Sequence, residues 1–378
     1  MEKENIVQIK NLEFFYDKKQ TLKIEELNFS ENEIISIVGP SGSGKSTLLN
    51  IISKLLKPTK GEVFIKNNLK IHEIGYILQN HFLYDEISVF DNIFLSSKSS
   101  FKWKKESFLE AIKNFSDQDS KLASLVAKYQ SNIQENREFW LRNLIRIKGL
   151  FTKKETKNKD FLKQTKLKNI FRIQLEELAQ KLEISDLLNK KAKELSGGQK
   201  QRVAFAKAII KKNNLILMDE PFSALDIKIK EKSIQWLTET KKQFNLSIIM
   251  VTHEQNDALK ISDKILLLNQ GTVEQFDDPV TIFEKPKSLF CANFFGYPEI
   301  NFLKKEQDKD FYIRANKIEL LPNQEGEFIL ENKEYTGNLV IYFLKNKEQT
   351  IKVSLLKDLY EINDKFDLKY NQKDLISF

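Results

Sequence analysis

The chain is poor in the residues that punctuate a fold: 7 prolines, 12 glycines, 3 histidines and one cysteine among 378 residues. A lone thiol excludes an intrachain disulfide and, with it, the small cross-linked scaffolds of secreted proteins. That thiol, Cys291, stands in the apolar run Leu289-Phe290-Cys291-Ala292, where a buried small hydrophobe is expected rather than a reactive group. No run approaches the ~20 apolar residues that span a bilayer as a helix. The opening Met1-Glu2-Lys3-Glu4-Asn5 lacks an apolar core behind a basic end, so no secretory leader is expected and the chain is placed on the cytoplasmic side.

Lysine and arginine are plentiful, and their surplus is local. The formal net charge is +8, yet residues 98–172 hold 19 basic and 8 acidic side chains, and the remainder is near neutral. A stretch of that kind suits anionic lipid headgroups, nucleic acid or an acidic partner, and equally a solvated lysine-rich face.

Hydropathy patterning divides the chain. Residues 6–10 and 21–29 alternate as half-buried strands do, and 34–38 is a short apolar strand. A Gly-rich loop and a helix over 47–56 follow, then strands at 62–65 and 75–78. Between about 97 and 169 there is one glycine, Gly149, no proline, and helical spacing. There Leu122, Leu125, Val126, Tyr129, Ile133, Trp140, Leu144 and Ile147 approximate one helix face. The part from 151 to 168 is more polar and reads as flexible. A helix is expected over 171–188. Apolar strands at 215–218, 248–251 and 264–268 alternate with helices at 199–211, 227–244 and 254–261, which implies a largely parallel sheet with helices on both faces. After about Pro298 short β-rich runs (311–314, 327–330, 338–344, 350–355, 365–370) suggest a small barrel or sandwich.

Three motifs carry chemistry. Gly39-Pro40-Ser41-Gly42-Ser43-Gly44-Lys45-Ser46 fits G-x-x-x-x-G-K-[ST] between a strand and a helix. Its glycines let backbone N–H groups converge on phosphate oxygens, Lys45 reaches the β- and γ-phosphates, and the Ser46 hydroxyl binds Mg²⁺. Leu215-Ile216-Leu217-Met218-Asp219-Glu220 is an apolar strand ending in two acids. Asp219 is expected to hold Mg²⁺ and Glu220 to polarise the attacking water as general base. Leu195-Ser196-Gly197-Gly198-Gln199 precedes a helix, aiming a hydroxyl, glycine N–H groups and a helix dipole at an anion.

With this third motif between the other two, the sequence resembles the ABC ATPases over about residues 5–96 and 170–297. The resemblance implies an α/β fold: a P-loop ATPase domain with a mixed-sheet core and a helical subdomain (1–297), then a small β-rich, OB-like domain of TOBE type (298–378). It implies that Tyr16 stacks on adenine and that Thr47 joins the loop in holding ATP. Gln79 corresponds to the glutamine that senses Mg²⁺ and the permease. Ser223-Ala224-Leu225-Asp226 matches the loop that crosses a dimer interface, with Asp226 as its acid, and His253 the histidine that contacts the γ-phosphate. In the family, Ser196, Gly197, Gly198 and Gln199 grip ATP held by a second copy, so a competent site needs two subunits. The implied partners are that second copy, membrane-spanning permease subunits and, indirectly, a solute-binding protein, with the chain peripheral at the cytoplasmic face of the cell membrane. The stretch 271–296, with Asp278-Pro279 and Phe294-Phe295-Gly296, is similar to importer ATPases.

The spacing from Gln79 to Ser196 exceeds a hundred residues, leaving a basic insertion at 97–169 that resembles insertions in polyamine-importer ATPases of wall-less bacteria. A helical subdomain near the inner membrane surface and a tolerated expansion are both open readings. Tyr84-Asp85-Glu86 is acidic where relatives often differ. Spermidine or putrescine is the expected solute. A sugar, a phosphonate or thiamine are alternatives, as is a soluble nucleic-acid-associated ATPase.

Overall fold

The computed structural model describes residues 4–17, 19–78, 83–116, 120–131, 135–149, 161–223 and 225–378. Contacts divide the chain into one unit of residues 1–37 and 44–253 and a second of residues 38–43 and 254–378.

The first unit opens with an antiparallel sheet ordered Lys19–Ser30, Asn5–Tyr16, Lys60–Ile65. Alternating apolar residues bury one face, but the parity changes within the first strand: Val7 and Ile9 are buried, then Leu12 and Phe14. The change falls at Asn11, whose φ of 48° marks a left-handed irregularity where the pairing with Lys60–Ile65 slips. Gly61 sits against that bulge; a Cβ there would lie 2.1 Å from the Asn11 carbonyl oxygen.

Four parallel strands follow in the spatial order Gly75–Ile77, Leu215–Asp219, Ser247–Val251, Ile34–Val38. They are continuous apolar runs because both faces are covered. Register sets their function: Asp219 and Ile37 both lie opposite Val251. The strands therefore end level, at the carboxyl edge where such sheets gather ligand-binding residues.

Helices Val89–Ser99, Phe101–Ser116, Leu167–Lys181 and Gly197–Ile209 bury a core around Phe171 and Trp103, both fully inaccessible. The Trp103 indole N–H donates to Gln174 Oε1 at 2.8 Å. The third of these helices is shorter than the expected 171–188: Glu183 takes a φ of 55°, ending the helix before the turn Ser185–Leu187. Rings of Phe90, Phe94 and Trp103 surround Phe171 at 5.0–6.0 Å. Phe171→Ala is expected to cost about 3–5 kcal/mol of stability, read from chemical denaturation.

The insertion is helical, as expected, with Phe101–Ser116, Ser120–Gln130 and Glu135–Gly149 described. Its core joins Phe108, Ile112, Tyr129, Ile145, Phe161 and Ile170. This corrects the expected face. Tyr129 is buried, but Trp140, Leu144 and Ile147 are exposed, and Leu141 and Ile145 point inward instead. The stretch is divided between two helices, Ser120–Gln130 and Glu135–Gly149, so one periodic stripe does not run through both. Ile133 lies outside the described residues, as do 151–160 of the stretch read as flexible, whereas Phe161 from the same stretch is buried.

In the second unit the hairpin Lys264–Asn269 and Thr272–Asp277 packs with helices Gln255–Ile261, Pro279–Glu284 and Leu289–Phe294. Asp278 caps the helix that Pro279 begins, accepting from the N–H groups of Val280 and Thr281. Cys291 is fully buried there, as its apolar run predicted. The tail forms two antiparallel sheets, ordered Asn301–Glu306, Lys309–Ile313, Ile376–Ser377, and Glu319–Pro322, Lys365–Lys369, Phe328–Tyr335, Val340–Lys345, Thr350–Leu355. Buried Arg314 ties the tail to the helices Pro279–Glu284 and Leu289–Phe294, donating to the carbonyls of Ala292, Phe295 and Phe283 while its guanidinium lies 3.9 Å over the Phe283 ring. No helix among the described residues is long and apolar enough to cross a membrane.

Candidate active site

Strand Ile34–Val38 runs directly into the phosphate loop. Gly39, Gly42 and Gly44 take φ values of 150°, 79° and 99°. A Cβ on Gly39 would sit 2.1 Å from the Leu268 carbonyl oxygen, so the loop is wound too tightly there for any side chain. Gly44 then starts the helix Lys45–Ile52 with no side-chain cap and no acidic residue in the first turn. An anion at that end would meet the positive end of the helix dipole. Ser46 at that end is exposed and Thr47 half-buried. The Ser43 hydroxyl is buried and, among the described residues, has no hydrogen-bond partner. A buried orphan hydroxyl inside a coil of glycines fits a phosphate-bearing ligand.

The carboxyl edge supplies the opposing charges. Half-buried Lys45 has its pKa lowered by burial, against the upward pull of Glu220 and Asp219. Asp219 is raised, chiefly by burial and then by the charge of Glu220, while Lys45 opposes. The three groups thus sense one another, and the Asp219 carboxylate is a hard-oxygen donor of the kind that suits Mg²⁺ alongside phosphate oxygens. Glu220 leaves the strand with a φ of 47°, a left-handed conformation unusual for a residue with a Cβ, held by its N–H on the Val251 carbonyl at 2.9 Å. Its Oε1 lies 3.1 Å from His253 Nδ1. The two strands level at Asp219 and Val251 thus bring together residues 33 positions apart.

That Glu220–His253 contact is not readable from either motif. Nor is the part played by Tyr76: its hydroxyl donates to Asn50 at 2.9 Å, and burial with the nearby charge of Asp219 pushes its pKa up to about 12. Its place in the strand before Gln79 was the only available signal. Gln79 and Ala224 lie outside the described residues.

The third motif forms a separate place. Ser196 caps the helix Gly197–Ile209 through a reciprocal box: Gln199 N–H donates to Ser196 Oγ at 3.4 Å, and Ser196 N–H to Gln199 Oε1 at 3.0 Å. A cavity of about 360 Å³ opens beside it, lined by Ser196, Gly198, Gln199, Arg202, Ile229 and Trp236 among others. No residue of the phosphate loop or of the acidic strand end lines it. Asp226 is exposed and caps the helix Ile227–Phe244, accepting from Ile229 N–H at 3.1 Å. Tyr16 is half exposed and packs in a T-shaped pair with Phe14 at 4.9 Å.

These features define an ATP-binding cassette, and the family comparison agrees: the model for the ABC transporter family matches residues 22–223, so the chain belongs to that family as an ATPase. It is similar to the spermidine/putrescine import ATP-binding protein of Mycoplasmopsis synoviae (strain 53), 28% identical over 396 residues that cover 94% of this chain and 85% of the relative. It is also similar to the sn-glycerol-3-phosphate import ATP-binding protein of Psychromonas ingrahamii, 33% identical over 283 residues that cover 73% of this chain and 59% of that one. Among solved structures it resembles cbiO1 from Clostridium perfringens, described as part of the ABC transporter complex cbiONQ (TM-score 0.51, 20% identity, 77% of this chain and 95% of that one), a likeness of fold alone.

Proposed function

We propose that this chain is the ATP-hydrolysing subunit of an importer, acting as a head-to-tail pair of copies beneath membrane-spanning permease subunits, with a polyamine such as spermidine or putrescine as solute. The observation that carries the pairing is the separation of two half-sites: Lys45, Asp219, Glu220 and His253 gather at one place, and Ser196 with its glycines lines another. Import and the solute class rest on the names of relatives that run nearly the full length of the chain.

In this reading Tyr16 stacks on adenine, the loop from Gly39 to Thr47 wraps the phosphates, and Lys45 neutralises the β- and γ-oxygens. Ser46 and Asp219, with Gln79, hold Mg²⁺, which when bound offsets phosphate charge. Glu220 orients the attacking water and accepts its proton. His253, 3.1 Å away, steadies that carboxylate and faces the γ-phosphate. Ser196, Gly197, Gly198 and Gln199 of the second copy close over the terminal phosphate, with Asp226 at the seam. Closure and release then drive the permease, and a solute-binding protein feeds it from outside.

Mixing two inactive variants tests the pairing. Lys45→Ala and Ser196→Arg chains, each silent alone, should recover about a quarter of the wild-type ATPase rate when mixed, because half the pairs are mixed and each holds one intact site. A mixture no more active than its parts, with the Glu220→Gln chain still monomeric in saturating ATP, would overturn it. Uptake of labelled spermidine against glycerol 3-phosphate in proteoliposomes with the permease decides the solute.

A further inference from the structure

The helix Glu135–Gly149 has two unlike sides. Ile145 is fully buried and Leu141 packs with it into the small core of the insertion, and Glu138, 3% exposed, accepts from Tyr129 at 2.9 Å and pairs with Arg142. The opposite side carries Trp140, Leu144 and Ile147, spaced four and three residues apart, with Phe139 beside them. Their exposures are 75%, 41%, 54% and 56%. Large apolar side chains in line on a surface helix mark a contact surface. Cations border one edge of the line, where Arg137 and Lys148 are exposed, while Arg142 and Arg146 turn inward to Glu138 and Thr165.

We propose that this helix is a membrane-surface element that lays Trp140, Leu144 and Ile147 into the headgroup–acyl boundary of an anionic bilayer. An apolar stripe flanked by lysine and arginine, with an aromatic ring in it, is what interfacial helices present to lipid. The charges match the partner: residues 98–172 carry a formal +11, and each basic side chain near an anionic leaflet adds attraction. Nucleic acid has the right charge, and Trp140 and Phe139 could stack on bases, but aliphatic Leu144 and Ile147 in the same line match acyl chains better than bases. A second copy of the same face would set Arg137 and Lys148 against like charges, whereas an anionic bilayer pairs with them. The inference stands without the importer reading, since it concerns only this helix and lipid.

The probe is built in. Of three tryptophans, Trp103 is fully buried and Trp236 half-buried, which leaves Trp140 as the exposed one. The purified full chain is mixed with vesicles of 30% phosphatidylglycerol in phosphatidylcholine and with pure phosphatidylcholine vesicles. Partitioning to the anionic vesicles only, with a blue-shifted tryptophan emission quenched by brominated lipid, is the expected result. Arg137→Gln with Lys148→Gln should lower partitioning roughly thirty-fold. Trp140→Ser with Ile147→Ser should lower it by about ten-fold or more and abolish the emission shift. All variants should keep the wild-type circular dichroism, unfolding midpoint and ATPase rate, since these side chains are on the surface. No partitioning to anionic vesicles, partitioning unchanged in both variants, or salt-sensitive binding of single-stranded RNA in place of vesicle binding would each overturn the proposal.

Discussion

Glu220→Gln is expected to keep ATP binding and to lose turnover by roughly 10²- to 10⁴-fold, the range for a positioned general base. The amide preserves shape and can still face His253, now 3.1 Å from the carboxylate, so the edge of the sheet is not rebuilt. What it cannot do is take a proton from water. It also removes one negative charge from beside bound phosphates, so ATP should bind as tightly as before or more tightly. Fluorescent-nucleotide titration and single-turnover hydrolysis separate the two effects. A variant that hydrolyses at the wild-type rate would remove Glu220 from the chemistry and leave His253 or a phosphate oxygen to activate water.

Lys45→Ala is expected to act earlier, weakening ATP binding between roughly 30-fold and several thousand-fold, the loss that follows when one partner of a buried charge pair is truncated. The reason is local. Asp219 is already pushed up by burial and by Glu220, and the Lys45 ammonium is what opposes them. Without it both remaining influences favour the protonated acid, so residual activity should fall off on the acid side at a higher pH than in the wild type. Lys45→Met, which keeps the stem, should behave like the alanine variant. Retention of nucleotide by the methionine variant would mean that packing, not charge, is what the lysine provides.

Much of this site is local in the sequence and therefore legible there. The glycines at 39, 42 and 44 are where the backbone takes positive φ, and Ser196 and Gln199 stand three apart at a helix start. Cys291 lies in an apolar run and is buried. The Glu220–His253 contact depends on register, Asp219 opposite Val251, which no single segment encodes. The same holds for Tyr76 beside Asp219. In the insertion the helical period was readable, but its phase was not. Leu141 and Ile145 are no more apolar than Leu144 and Ile147, and only packing against Phe108 and Tyr129 selects between them. The acidic Asp85 and Glu86 find lysines more than a hundred residues away, Glu86 pairing with Lys191 and Lys193 and Asp85 approaching Lys200 at 4.0 Å.

The Ser196 hydroxyl and the Gln199 amide are already answered by their own helix. If two copies pair as proposed, this cap is present whether they are together or apart, because it uses the two oxygens as acceptors and leaves the hydroxyl O–H and the amide N–H to reach a phosphate. The loop would then keep its shape between encounters and need no rebuilding before the next one.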